Sequence, residues 1–361
     1  MKRVFISDCE GPISKNDNAF EITASFVPNG DKLFTIISKY DDVLADVLKK
    51  ANYTAGSTLK LILPFLKAYG VTDVQMEEFS AQNLILITNS KDTLQHVKGV
   101  ASAFIVSTSY EHYIKALCKA VDFPYENTYC TKISIDKYAI TEQETRRLKE
   151  IAQEISQMPM ITIPAEAKKI GDFSSVDQKM IGQLNRIFWN EIPAMGVGRF
   201  FSEVTTVGGS QKAEAIEDAT AKLNMPLEEV MYVGDSITDV EAFQFVREKG
   251  GLTVSFNGND YAVKSAEIAV MSENSVVIAV IADVFCRQGK QAALNLVKNW
   301  NLESLEHNGV VSLSLLDHLF TLHPQTLPKV QIVTAKNMET LAKQSSEFRK
   351  KVRGESIGRL G

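Results

Sequence analysis

The sequence predicts an α/β fold in three layers, with a parallel sheet between helices. Three observations carry that prediction. Compact apolar runs recur along the chain and stop at small or polar residues, as strands buried on both faces do. Helical patterns lie between successive late runs, and strand–helix–strand alternation produces a parallel sheet. Two long helical stretches do not fit the alternation and read as insertions between core strands.

The elements follow in order. The first strand is "RVFIS", which ends at Asp8, Cys9, Glu10, Gly11 and Pro12. Residues 14–95 read as mostly helical, "DDVLADVLKKA" and "STLKLILPFLKAYG" among them, and form a helical cap inserted after that strand. "SAFIVSTS", Ser102 to Ser109, is the second strand and leads into the helix "YEHYIKALCKAV". Residues 138–202 form a second helical insertion, with "TEQETRRLKEIAQEISQM" and "SSVDQKMIGQLNRIFWNEI". The core then resumes. The helix "QKAEAIEDATAKL" precedes the strand "EVMYVGDS", the helix "ITDVEAFQFVREKG" follows it with a glycine stop, and "GLTVSFNG" is the next strand. The core so read comprises residues 1–13, 96–137 and 203–285. Residues 286–361 read as a helical extension, with "QAALNLVKNW", "SLLDHLFTLH" and "METLAKQSSEFRKK". Its basic, glycine-containing end, "EFRKKVRGESIGRLG", is expected to fray.

Composition narrows the function. The 361 residues are 45% hydrophobic and 23% charged, with a formal net charge of -5. That balance argues against nucleic acid as the main partner, because phosphate neutralisation wants a basic surface. Cys9, Cys118, Cys130 and Cys286 are scattered without a C-x-x-C, which predicts a reduced, cytoplasmic chain with neither disulfide framework nor zinc site. The apolar run "VVIAVIADVF" is far shorter than the roughly 18–20 residues that cross a bilayer, and the amino-terminal run is too short for a signal peptide, so no membrane association is expected.

In open parallel sheets the loops at the carboxyl ends of strands hold the ligand. Asp8, Ser107 and Asp235 each sit at such an end, so one crevice can gather them. Asp8 and Glu10 read singly as a solvated turn or as a paired acid site. Ser107, followed by the backbone N–H groups of Thr108 and Ser109, reads as a helix cap or as an anion site. Lys212 stands in the first turn of a helix, an end whose dipole prefers negative charge. Asp235 ends an apolar strand, and Asp239 lies four residues on, where a carboxylate at a helix start is favourable. Acid pair, hydroxyl, lysine and second acid pair therefore come in a fixed order, each at a strand end or helix start. Four carboxylates in one crevice repel each other, and a divalent cation with oxygen ligands relieves that repulsion.

This order of motifs resembles the haloacid dehalogenase superfamily, and in particular its phosphoserine-phosphatase-like branch. The resemblance implies a Rossmann-like core and a Mg2+-dependent phosphatase that passes through an aspartyl-phosphate on Asp8. It gives Glu10 the acid/base role, makes Ser107 the phosphate-binding hydroxyl with Thr108, Ser109 and Gly11 beside it, and makes Lys212 the conserved lysine. It assigns the cation to Asp8, Glu10 through its backbone carbonyl and Asp235, with Asp239 either a further ligand or a partner of the ligands. Two departures stand out. Glu10 replaces the usual aspartate, and Pro12 replaces a residue whose hydroxyl and N–H aid the turn. The stretch "DCEGPISKNDNAFE" is also similar to an archaeal group named after an energy-converting hydrogenase A subunit. The expected substrate is a small phosphorylated metabolite, since lids over the crevice leave little room for a phosphoprotein. Asn16, Asp17, Asn18 and Glu21 are polar groups near the cap entrance, read either as a solvated hinge or as substrate contacts. A phosphotransferase of the same fold and a non-catalytic scaffold, docked through the C-terminal helices or self-associated as a homodimer, are the alternatives.

Overall fold

A computed structural model describes residues 3–307 and 309–360, so Met1, Lys2, Asn308 and the last tail residue, Gly361, lie outside the described residues. Seven strands form one sheet: β1 (Val4–Ser7), β2 (Ser102–Tyr110), β3 (Thr128–Thr131), β4 (Val230–Gly234), β5 (Leu252–Phe256), β6 (Ile268–Met271) and β7 (Lys329–Ile332). Their order is β3-β2-β1-β4-β5-β6-β7. Every pairing is parallel except β6 with β7. The expected α/β architecture is therefore present, with an antiparallel edge strand added by the C-terminal extension. The four-residue strands β3, β6 and β7 lie outside the runs read as strands from the sequence.

The central strand β1 lies between β2 and β4, with Ile6 opposite Phe104 on one side and Tyr232 on the other. All four of its residues are buried. Phe5 faces one apolar layer together with Ile105 and Val233, while Val4 and Ile6 face the other with Val106 and Tyr232. That is why these strands read as continuous apolar runs. The reversal of strand order at β1 also creates the crevice, since the chain leaves β1 towards β2 on one side and β4 on the other.

The helices, in chain order, divide between sheet and insertions. The first insertion holds α1 (Asn18–Phe26), α2 (Gly30–Asp42), α3 (Thr58–Ala68), α4 (Asp73–Asn83) and α5 (Ser90–Val100). Next come α6 (Glu111–Val121), then α7 (Glu142–Ser156), α8 (Ser175–Arg186) and α9 (Arg199–Glu203) of the second insertion. The core continues with α10 (Ser210–Leu223), α11 (Val240–Glu248), α12 (Asp260–Ser265) and α13 (Val276–Gln288). The chain ends with α14 (Lys290–Lys298), α15 (Leu302–Glu306), α16 (Leu313–Leu322), α17 (Met338–Arg353) and α18 (Glu355–Gly358).

The two insertions pack together as one apolar layer. Ile37, Ile62 and Phe65 of the first share a single apolar cluster with Leu148, Leu184 and Phe188 of the second. Tyr40 stacks on Phe188 with ring centroids 5.8 Å apart, donates its hydroxyl to Asn185 Oδ1 at 2.6 Å and accepts from Trp189 Nε1 at 2.8 Å. The helix α5 does not join this cluster: Leu94 and Val97 pack on the sheet. The tail expectation is overturned. Instead of fraying, "EFRKKVR" is the last part of α17, and Arg349 and Arg353 are only 3% and 9% exposed. Leu341 and Ala342 anchor that helix against Val263 and Met271. Basic composition signals fraying only where no buried partner exists, and here carboxylates wait at the strand ends.

Candidate active site

Asp8 follows β1 directly, and its N–H donates to the Val233 carbonyl of β4, which ties the two strand ends together. One carboxylate oxygen of Asp8 accepts from Lys212 Nζ at 2.6 Å, and the other accepts the Cys9 N–H at the same distance, 2.6 Å. The same ammonium donates to Asp239 Oδ1 at 2.7 Å. Lys212 is fully buried in the first turn of α10, so its unfavourable place beside the helix dipole is compensated by two carboxylates. Burial by itself pulls the lysine pKa down, but Asp239 and Asp8 outweigh it and hold the ammonium charged.

The strand β4 ends at Gly234, and the turn after it delivers Asp235 and Asp239. Asp239 is saturated. Its Oδ1 accepts from Lys212 and from Tyr232 Oη at 2.6 Å, and its Oδ2 accepts the N–H groups of Asp235 and Ser236, each at 2.9 Å. Burial works against its charge, but Lys212, Tyr232 and these N–H groups hold the carboxyl below its ordinary value. Asp8 behaves in the opposite way. Burial first, then repulsion from Asp239 and Asp235, lift it to about 7 against the attraction of Lys212.

Asp8, Asp235 and Asp239 each offer a carboxylate oxygen within 4.8 Å of the others. An all-oxygen donor set of this size suits a hard divalent cation such as Mg2+. Each Asp239 oxygen already holds at least two donors, whereas each Asp8 oxygen holds one. Asp8 and Asp235 are thus the carboxylates with capacity to reach an ion, and Asp239 holds the turn and the lysine. Of the two places expected for Asp239, on the ion or beside its ligands, these bonds favour the second.

Glu10 lines the same cavity as Asp8. Its Oε1 accepts the Asn18 N–H at 2.8 Å. Burial, reinforced by Asp17, pushes the Glu10 carboxyl well above the ordinary range, against relief from Asn18, Arg353 and Ser109. Ser107 and Thr108 line the cavity too, and the buried Thr108 hydroxyl has no protein partner. Two expected phosphate contacts need correction. The Ser109 N–H is already donated to Ser107 Oγ at 3.2 Å, and β2 runs on to Tyr110, so that N–H is not free and Ser109 is not part of the helix start. The Gly11 N–H is donated to the Ser14 carbonyl at 2.7 Å. Gly11 contributes space instead: its φ is +102°, and a Cβ there would overlap the Asp235 carboxylate.

The polar residues expected near the cap entrance are largely structural. Asp17 caps α1 by accepting the Phe20 N–H at 3.0 Å. Asn16 is buried, donating to Glu21 and to the Asn83 carbonyl. Only Asp17 of the four lines the cavity.

Sequence reasoning missed Arg349 and Arg353. Both guanidiniums contact Asp235 Oδ2, Arg353 at 3.0 Å and Arg349 more closely. Arg353 also donates to the Lys15 carbonyl at 2.9 Å and to that of Asn16, and Arg349 donates to the Asp235 carbonyl at 3.1 Å. No local signal marks two arginines among the lysines of a basic helix as site residues. Their spacing of four, which puts both on one helix face, is the one hint available. The cavity they help to close has a volume of about 90 Å³.

The profile of the haloacid dehalogenase-like hydrolases matches residues 60–281, more than half of the chain. No curated protein sequence is significantly similar to the chain. Among solved structures, gene product AF1437 from Archaeoglobus fulgidus is similar in fold, with a TM-score of 0.81 and 22% identity over 100% of this chain and 99% of that one. A phosphoserine phosphatase in apo form aligns with 77% of this chain and 98% of its own, at 13% identity and a TM-score of 0.43. Among the described residues, no helix is long and apolar enough to cross a membrane.

Proposed function

The chain belongs to the haloacid dehalogenase-like hydrolases, and from that premise we propose that it is a Mg2+-dependent phosphatase acting on a small phosphorylated metabolite. The observation that supports this reading is the buried contact between Asp8 and Lys212 at the end of the central strand, with Asp235 alongside. A nucleophilic carboxylate must be ionised, close to positive charge and shielded from bulk water, and Asp8 meets these conditions once its raised pKa is countered by a cation.

Asp8 attacks phosphorus and the ester oxygen leaves, which gives an aspartyl-phosphate. Glu10, whose carboxyl is pushed upward by burial, donates its proton to that leaving oxygen. As a carboxylate it then takes a proton from the attacking water, phosphate departs and Asp8 is regenerated. Ser107 and the unpartnered Thr108 hydroxyl are placed to donate to phosphoryl oxygens. Lys212 balances the charge of Asp8 throughout. A divalent cation held by Asp8 and Asp235 supplies further positive charge against the phosphoryl oxygens when bound. The one-piece lid and the small cavity favour a compact substrate over a folded phosphoprotein.

The test is hydrolysis of a chromogenic phosphate monoester, and then of a metabolite panel, with and without Mg2+. Phosphate release that needs Mg2+ and disappears in Asp8→Asn is the expected result. Activity that survives that substitution, or none on any substrate, contradicts the reading.

A further inference from the structure

We propose that Arg349 and Arg353 of the C-terminal helix are counter-charges of the active site, and that they make the cation and the phosphoryl group bind as a pair. The inference rests on the phosphatase reading above and adds residues that lie beyond the stretch matched by the family profile, residues 60–281.

The argument is one of charge. The bonded network at the strand ends contains three carboxylates, Asp8, Asp235 and Asp239, and three cations, Lys212, Arg349 and Arg353. Lys212 alone serves Asp8 and Asp239, and both arginines serve Asp235. With its three carboxylates ionised, the network carries equal numbers of positive and negative charges. It is also buried: Lys212, Asp239, Asp235 and Arg349 are each no more than 3% exposed, so bulk solvent screens an added charge weakly. A divalent cation entering alone leaves an excess of two positive charges, and a phosphate dianion entering alone leaves the opposite excess. The two together restore balance.

Geometry agrees. Both guanidiniums use the same oxygen of Asp235, Oδ2. Neither touches the other oxygen, which is left for an ion. Arg349 Nε is buried without a partner at the cavity wall, and the Thr108 hydroxyl is likewise unpartnered there. These are unmet donors, and an anion in the cavity would satisfy them. Glu10 and Asp17, half-buried on the cavity wall, form no ion pair with either arginine among the described residues.

Without the arginines the network carries two excess negative charges. A cation alone then binds more readily, and an anion less readily. The experiment is calorimetric titration of the full-length chain with Mg2+ alone, and with inorganic phosphate in the presence of Mg2+. In Arg349→Gln/Arg353→Gln, Mg2+ alone should bind about tenfold tighter than in the native chain, and phosphate to the Mg2+-loaded protein about tenfold weaker. Arg349→Lys/Arg353→Lys keeps the charge and should return both affinities to near native values, with thermal melts confirming that each variant is folded. Weakening of both ligands together assigns the arginines a purely structural role and overturns the inference, as does no change in either. Absence of Mg2+ binding by the native chain, with or without phosphate, overturns the phosphatase reading itself and the inference with it.

Discussion

The two strand ends that meet in the crevice neutralise their acids in different ways. At β1, Asp8 shares one lysine with Asp239, and that lysine comes from a helix of the same α/β core. At β4, Asp235 takes two arginines from α17, more than a hundred residues further along the chain. The first arrangement belongs to the sheet's own alternation of strands and helices. The second depends on a terminal helix that must cross the edge of the sheet and fold back. The difference teaches that a core assembled from consecutive strand–helix units can carry its chemistry in short motifs, while its electrostatic balance is completed by a segment with no motif.

The largest expected effect breaks the β1 side. On the proposed mechanism, Asp8→Asn should lower turnover by at least about a thousandfold, measured as phosphate release at saturating Mg2+, because it would remove the nucleophile and not merely a charge. Lys212→Gln should cost about 3–5 kcal/mol in chemical denaturation, since it strands two buried carboxylates without a partner. The β4 side should give less: Arg349→Gln leaves Arg353 on Asp235, so a loss nearer to about 1–3 kcal/mol is expected from the same measurement.

Gly11→Ala sharpens the comparison by acting between the two ends. The new methyl overlaps Asp235 at a positive φ, so a loss of about 1–3 kcal/mol and a weaker Mg2+ affinity should appear together.

The smallest effect is in the pH profile. The carboxyl of Asp8 is lifted from 3.8 to about 7, chiefly by burial. A raised folded-state value means that the native chain holds a proton the unfolded chain has released. This contribution is complete below about pH 4 and is lost as the pH climbs through about 7. Without Mg2+, the melting temperature should therefore fall by a few degrees from pH 5 to pH 8, and Asp8→Asn should flatten that slope. Adding Mg2+ at pH 8 should recover the loss, because binding to the native state stabilises it by mass action.

The acid, lysine and hydroxyl positions were legible because each sits at a junction between a strong apolar run and a helix. Asp8 after "VFIS", Asp235 after "VMYVG" and Lys212 at the start of "QKAEAIEDATAKL" all announce themselves in this way. The roles within the cluster were less legible. That Asp239 would be saturated by Tyr232 and two N–H groups, or that Ser109 would give its N–H to Ser107, depends on angles in turns that sequence spacing does not fix. The merging of two insertions into one apolar layer was also out of reach. An apolar helix face declares that it will be buried, but not against which partner, and Tyr40 meets Phe188 only in space.

By itself, then, the sequence determined the parallel core, the order of its chemistry-bearing junctions and the presence of helical insertions, because these follow from local periodicity and from which residues tolerate a strand end. The tertiary structure decided what neutralises Asp235, how the two insertions pack on each other and that the basic tail is ordered. Those outcomes depend on charges and apolar faces that lie far apart along the chain, whose pairing is set by burial and Coulomb attraction after the sheet has formed.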